Sequence, residues 1–471
     1  MNQKLINHLI DIVGETNILH SGAEKERFTH IWKTDIPLEA IAVVFPTSTQ
    51  EVSEIMKHCQ SVQQEVIIHG GLTNLIGGTE TQASQLVLAL DKMNSIEEVD
   101  EQSRTITAQA GAILENLIDA AHEKQLLLPM SFGAKGSAQI GGVVSTNAGG
   151  LRVFRYGMTR QMVLGVEAVL PNGTIISSLK KIIKDNSGYD LKQLFIGSEG
   201  TLGIITKVIM RLSEAPTSRS SAIVGIQNYE QVIGLLKFLE KNLAGMLSGF
   251  ELMWQSTYKA MTSENSHLIP PLSQEYPYYV FVESLGTKPA EDYSRLEDLI
   301  GEALETELIQ DAVMAQSERE LHSIWQIRED VSVLAAQANF DQHFDISIPI
   351  PLIGKMVDDA VEALEKLPFV SCVFPFGHVA DGNIHFIIGK KENNAAIIKS
   401  INDIIYQPLK AVGGSVSAEH GIGLHKKEYL SFCRSEAEIE LMKNIIPILF
   451  FIFSTKRFCT IRNIINFVLN A

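Results

Sequence analysis

GAKGSAQIGGVVSTNAGG, residues 133–150, is the stretch whose reading decides the fold. Glycines stand at 133, 136, 141, 142, 149 and 150, with Ser137, Ser145, Thr146 and Asn147 among them. Each glycine inside a helix or strand costs roughly 0.5–1 kcal/mol against alanine, so this density does not describe a packed element. It describes backbone that must come close to something large and polar. Upstream, the apolar run Val66-Ile67-Ile68 enters GGLTNLIGG, residues 70–78. A strand running into a glycine-rich loop offers backbone N–H groups to a diphosphate. The spacing is not the Rossmann fingerprint, and it is not a P-loop, since no Gly-Lys-Ser/Thr follows. Residues 41–45 read as a buried strand stopped by Pro46. A helix follows, capped by Thr47, Ser48 or Thr49 and carrying Val52, Ile55 and Met56 on one face. Downstream come Arg152, Arg155 and Arg160, a strand over 164–170, and the turn Pro171-Asn172-Gly173. In KDNSGYDLKQLFIGSEGTLGIIT, residues 184–206, Gly197, Gly200 and Gly203 again punctuate a polar loop.

A second motif, FGHVADGNIHF at residues 376–386, carries chemistry. Asp381-Gly382 is a two-residue hairpin signal of type I′. Such a turn sets His378 opposite His385, with Cβ atoms about 4.5–5.5 Å apart. Two imidazoles at that separation can share a divalent metal. SAEHGIG, residues 417–423, adds Glu419 and His420 beside glycines that turn the backbone. Two histidines and a glutamate form a three-ligand set with open positions, which suits a catalytic metal better than a structural one.

The 471 residues exceed one core and predict two or three domains. The net charge of −16 and pI near 5.3 exclude nucleic acid and anionic membrane surfaces as partners. The four cysteines, Cys59, Cys372, Cys433 and Cys459, are scattered and read as free thiols of a reducing compartment. Leu5, Ile6, Leu9, Ile10 and Val13 recur at helical spacing, interrupted by Asp11 and Glu15, so no signal peptide is expected. No run of 18 apolar residues predicts a membrane span. The expected location is cytoplasmic, with peripheral membrane association through an electron acceptor left open. From Ser213 the glycine density falls. Helices over 230–243 and 291–309 alternate with a strand over 278–284, which reads as an α+β domain on an antiparallel sheet.

The phrases NAGGLRVFRYG, DNSGYDLKQLFIGSEGTLGIIT, FGHVADGNIHF and SAEHGIG together resemble the vanillyl-alcohol oxidase/p-cresol methylhydroxylase superfamily. The resemblance covers residues 30–445, and within the superfamily is nearest the branch of D-lactate dehydrogenases, the glycolate oxidase catalytic subunit and D-2-hydroxyglutarate dehydrogenase. It implies an α+β fold: a p-cresol methylhydroxylase-type FAD-binding domain over 1–213 (core 36–213) and an antiparallel-sheet substrate or cap domain over 214–425. A segment over 426–471 then returns to the flavin domain. It implies non-covalent FAD held by Gly70, Gly71, Leu72, Thr73, Asn74 and Gly77. Further contacts come from Gly136, Ser137, Gly141, Gly142, Ser145, Thr146, Asn147, Gly149 and Gly150, and from Glu199, Gly203 and Ile205. His69, the histidine beside the first loop, is expected to be a non-covalent neighbour.

By the same resemblance, a zinc, manganese or iron ion sits on His378, His385 and Glu419, and His420 is the general base. Arg328, on an amphipathic helix over 321–332, binds a substrate carboxylate. Asn383 donates to substrate or to water on the metal, and Ser332, one helical turn on from Arg328, and His343 line the substrate site. The implied reaction is oxidation of a D-2-hydroxy acid of the D-lactate, glycolate or D-2-hydroxyglutarate class to the 2-oxo acid. Electrons pass to a quinone, an electron-transferring flavoprotein, a cytochrome or oxygen; a homodimer is compatible with the sequence. Alkyl-glycerone-phosphate synthesis and a catalytically silent flavoprotein are the competing readings. The chain departs from the family at four points. Leu72 and Asn74 replace residues that are usually Asn and Gly. Ser332 stands where the hydroxyglutarate-specific members carry a threonine, and His343 where they often have a lysine. After Asn444 the tail IIPILFFIFSTKRFCTIRNIINFVLNA no longer follows the family, which suggests a shifted reading frame.

Overall fold

The computed structural model describes residues 2–32, 37–263 and 266–451. The chain divides into two compact units. One comprises 1–149, 157–215 and 419–471, the other 150–156 and 216–418.

The first unit holds two larger sheets. In the four-stranded sheet, Ala42–Val44 and Val66–His69 each pair in parallel with Leu86–Ala89, and Ile18–Leu19 adds an antiparallel edge. Parallel pairing here follows from the crossover helix Thr49–Val62. Ser48 caps that helix by accepting the Glu51 N–H, as one of the three expected caps. Val52, Ile55 and Met56 are fully buried on its inner face. The five-stranded sheet is antiparallel, in the order Ile96–Asp100, Thr105–Gln109, Ile204–Arg211, Val163–Val169, Ile175–Ser178. A core including Leu9, Leu88, Ile106, Val144, Val166 and Val208 is shared by sheets and helices, and the loop 70–78 leaves the strand Val66–His69, whose Val66 belongs to that core.

The second unit is built on a seven-stranded antiparallel sheet. Its order is Asp311–Met314, Ser218–Ile226, Tyr278–Gly286, Leu247–Trp254, Val370–His378, Asn383–Lys390, Phe340–Ser347. The central strands are buried throughout, because helices such as Tyr229–Leu243 and Pro289–Glu305 cover the sheet. Asn228 and Ser317 cap the helices Tyr229–Leu243 and Glu318–Glu329 through their side chains. A cluster including Tyr279, Phe281, Trp325, Phe374 and Phe376 packs the latter helix down, and Trp325 Nε1 donates to Ser221 Oγ over 2.7 Å.

Two boundaries differ from the sequence reading with consequences for the site. The expected helix over 321–332 ends at Glu329, where Asp330 leaves helical backbone (φ −83°, ψ 64°). Ser332 therefore opens a separate short helix, Ser332–Ala335, and is not one helical turn beyond Arg328. The hairpin is also not a two-residue turn. Gly382 has φ +86° but Asp381 is not left-handed, so type I′ geometry fails. A four-residue loop over 379–382 closes instead, with the Asp381 N–H on His378 O and the Gly382 N–H on Val379 O. The register becomes His378 opposite Asn383 and Phe376 opposite His385, so the two histidines are diagonal rather than directly opposed.

Candidate active site

On the second unit, the diagonal placement still keeps both imidazoles on one face of the sheet, because side chains two apart share a face. Their ring centroids are 5.2 Å apart and the rings stand at 87°. His378 Nδ1 lies 2.6 Å from Glu251 Oε1. Glu251 comes from the neighbouring strand Leu247–Trp254, where Leu252 pairs with Gly377. Its other oxygen accepts Arg328 Nε at 2.8 Å and Nη2 at 2.7 Å. The Arg328 guanidinium is buried and stands 4.8 Å above the Phe376 ring. Burial pushes the Glu251 carboxyl up, but His378 and Arg328 outweigh it and hold the group below the usual carboxylate range. An ionised carboxylate only accepts, so His378 donates to it from Nδ1.

Asp345 does similar work nearby. It is fully buried, and its Oδ1 lies 3.9 Å from His385 Nδ1 and accepts Asn383 Nδ2 at 2.9 Å. Its Oδ2 accepts Ser417 Oγ at 3.2 Å and the Ala418 N–H at 3.1 Å. Ala418 is covalently followed by Glu419, so this carboxylate fixes the chain one residue before the acid of SAEHGIG. Asn383 uses its second N–H on Ile346 O at 3.1 Å. Both donors are spent, and Oδ1 is buried without a hydrogen-bond partner among the described residues. Asn383 thus offers an acceptor where the sequence reading expected a donor.

The other two residues expected at the substrate site lie at the surface. Ser332 bonds Asp330, and His343 Nε2 lies 2.8 Å from Asp341 Oδ2; both are exposed.

On the first unit, the glycine-rich loops meet one another. A Cβ on Gly71 would lie 2.0 Å from Ser137 O, and one on Gly141 would lie 2.5 Å from Ala110 Cβ. Gly70 faces Gln139, whose Oε1 is buried and unpaired among the described residues. Leu72, Asn147 and Glu199 hold left-handed backbone at φ 57°, 51° and 52°. Such conformations cost on the order of 1–3 kcal/mol each and concentrate at ligand clamps. A close-approach cradle, an orphaned polar atom and stored strain at the loops chosen from sequence fit a large polar cofactor. Asn74 shapes its own loop, accepting the Gly78 N–H at 2.9 Å and donating to Thr79 Oγ1. Ile205, by contrast, is a core residue. His69 is fully buried, and its Nε2 sits 3.0 Å from Thr79 O; burial pushes it down to about 4.

Glu199 also does something other than line a cofactor. Its two oxygens accept the Ile422 and Gly423 N–H groups, each at 2.8 Å. It therefore clamps the loop that carries Glu419 and His420. A Cβ on Gly149 would lie 2.5 Å from Glu419 Oε1, so that acid borders the glycine-rich loop.

Fold and loops together define a flavin-dependent oxidoreductase of the p-cresol methylhydroxylase type. The chain matches the family described as FAD binding domain over residues 40–178 and that described as FAD linked oxidases, C-terminal domain, over 215–446. It belongs to the FAD-linked oxidases. It is 37% identical to a Schizosaccharomyces pombe protein provisionally named a mitochondrial D-lactate dehydrogenase, over 92% of this chain and 85% of that one. It is 34% identical to the mitochondrial D-2-hydroxyglutarate dehydrogenase of Arabidopsis thaliana, over 95% of this chain and 80% of the relative. Among solved structures, p-cresol methylhydroxylase with substrate bound aligns at a TM-score of 0.73 and 13% identity, covering 95% of this chain and 94% of that one. Alkyldihydroxyacetonephosphate synthase aligns at 0.72 and 15%, over 95% and 84%. At such identities the last two show the fold alone.

The expected cytoplasmic location is corrected by these findings, since the relatives from fission yeast, plant and animals are named mitochondrial. Among the described residues, no helix is long and apolar enough to cross a membrane. The C-terminal family match stops at 446, and the tail that departs after Asn444 lies mostly outside the described residues.

Proposed function

We propose that the protein oxidises a D-2-hydroxy acid to the 2-oxo acid, with Arg328, Asn383, His378, His385, Glu419 and His420 as the residues that act. The observation that carries this reading is the buried Glu251, which binds an imidazole of the paired-histidine hairpin and a buried arginine at once. Relatives named for D-lactate and D-2-hydroxyglutarate support the substrate class.

When bound, FAD supplies the hydride acceptor and a divalent metal supplies a Lewis acid that acidifies the substrate hydroxyl. Residues of the three glycine-rich loops hold FAD without a covalent link. His378 through Nε2, together with His385 and Glu419, holds the metal, and this donor set suits zinc, manganese or iron. Arg328 binds the substrate carboxylate and so fixes which face of the α-carbon is presented. His420 takes the hydroxyl proton. Asn383 Oδ1 accepts from the substrate side, being a buried acceptor left without a partner among the described residues.

The test is an anaerobic visible spectrum recorded before and after adding D-lactate, D-2-hydroxyglutarate and their L forms separately. Flavin bands that bleach with one D acid and persist with its L form are the expected result. A bound flavin indifferent to all four overturns the proposal.

A further inference from the structure

Glu251 is an acid in the middle of LSGFELMW, a strand whose every residue is buried. A lone carboxylate in such a place is costly, and it is tolerated only when paired and hydrogen-bonded. Here the pairing is divided between its two oxygens. Oε1 takes the His378 imidazole and Oε2 takes the Nε and Nη2 edge of Arg328. Resting on the function proposed above, we infer that Glu251 is the positioning residue that couples metal binding to substrate-carboxylate binding.

Two consequences follow from the geometry. Because Oε1 accepts from Nδ1, the His378 proton is held there and Nε2 is presented as the ligand. Because Oε2 occupies the Nε/Nη2 side of the guanidinium, a substrate carboxylate meets Arg328 end-on, through Nη1 and Nη2. A guanidinium offers both edges as parallel donor pairs, and Glu251 takes one of them. The Phe376 ring, 4.8 Å from the guanidinium carbon, flanks the same group and keeps the fork from turning. One carboxylate therefore sets the aim of both groups that grip the substrate's two oxygen functions. It needs both oxygens as acceptors, since every hydrogen bond it makes is with a donor.

E251Q tests this, because an amide can accept from only one of the two partners. The holoenzyme variants are compared with wild type by metal content, by metal affinity in chelator competition, and by kcat and KM separately. The expected result for E251Q is roughly 10- to 100-fold weaker metal binding, the range for loss of a carboxylate behind a ligating histidine, together with a raised KM. E251D, which keeps both acceptors on a shorter arm, recovers part of each. If E251Q does not fold, E251D and the histidine ¹⁵N spectrum of the wild type decide, with the His378 resonance expected to report an Nδ1-protonated ring. Wild-type metal affinity and KM in E251Q, or an Nε2-protonated His378, overturn the inference while leaving the proposed reaction intact. A wild-type enzyme that oxidises a D acid but binds no metal overturns the coupling and the metal site together.

Discussion

Glu251 and Glu199 are both buried glutamates that hold functional groups in place, yet they are stabilised in opposite ways. Glu251 is balanced by side-chain charge, and its carboxyl is held below the usual range. Glu199 is balanced mainly by two backbone N–H groups; burial pushes it up, and Ile422, Gly423 and Lys426 pull it back only in part. Glu251 holds two side chains, whereas Glu199 holds the backbone of a loop. The first glutamate therefore sits where binding is read, and the second where a loop must simply stay still.

The largest effect expected from breaking this arrangement is at the groups the glutamates hold. H420A removes the proposed general base and is expected to lower kcat by about 10²–10⁴-fold with the flavin spectrum unchanged, measured by steady-state turnover. A loss under tenfold would move the base elsewhere. R328A removes the charged fork and raises KM about 10- to 100-fold, since hydrogen bonds to charged groups contribute about 1.5–3 kcal/mol each. R328K keeps the charge but recovers little, because an ammonium cannot reproduce a two-pronged contact.

E199Q sharpens the comparison. It points an amide N–H at a backbone N–H, which costs about 1–3 kcal/mol. The expected outcome is a fall in kcat of about tenfold through the loop bearing His420, with KM changed by less than about twofold. A KM shift like that of E251Q would show that the two glutamates are not separable. The smallest effect concerns His69, which is buried neutral at a pKa of about 4. Its folded pKa lies below the unfolded value, so the unfolded chain binds the extra proton and stability falls as pH drops from about 6.5 toward 4. Between pH 7 and 5 the loss is about 2 kcal/mol. H69Q should abolish that increment in urea midpoints compared at the two pH values.

The flavin loops were legible because glycine density has no other economical explanation, and Gly71 and Gly141 indeed tolerate no Cβ. The hairpin histidines were legible as a pair, although the register was not. A four-residue loop and a two-residue turn both accommodate Asp381-Gly382, and only the backbone around Val379 and Ala380 decides between them. Glu251 and Asp345 were missed, since each is a buried strand acid whose role depends on neighbours far away in sequence. A charge in LSGFELMW or HFDISIP was the available signal. Arg328 was found, but its bond to Glu251 required the sheet order, which periodicity does not contain. Glu199 was placed in a loop, but its hold on the Ile422 and Gly423 N–H groups was not foreseen, because a carboxylate beside glycines could equally face a cofactor or a backbone.

Residues 150–156 belong to the second unit although they interrupt the first. Arg152 bonds Glu283, and Arg155 donates to Leu285 O at 2.9 Å, within that unit. The polypeptide thus passes between the units four times, at 149/150, 156/157, 215/216 and 418/419. No single contiguous piece of gene encodes the second unit. Swapping 216–418 for the equivalent part of a relative would leave a foreign seven-residue strap in place, with Arg152 facing whatever the new sequence puts at position 283. Modular exchange of substrate preference in this architecture must carry two gene segments together.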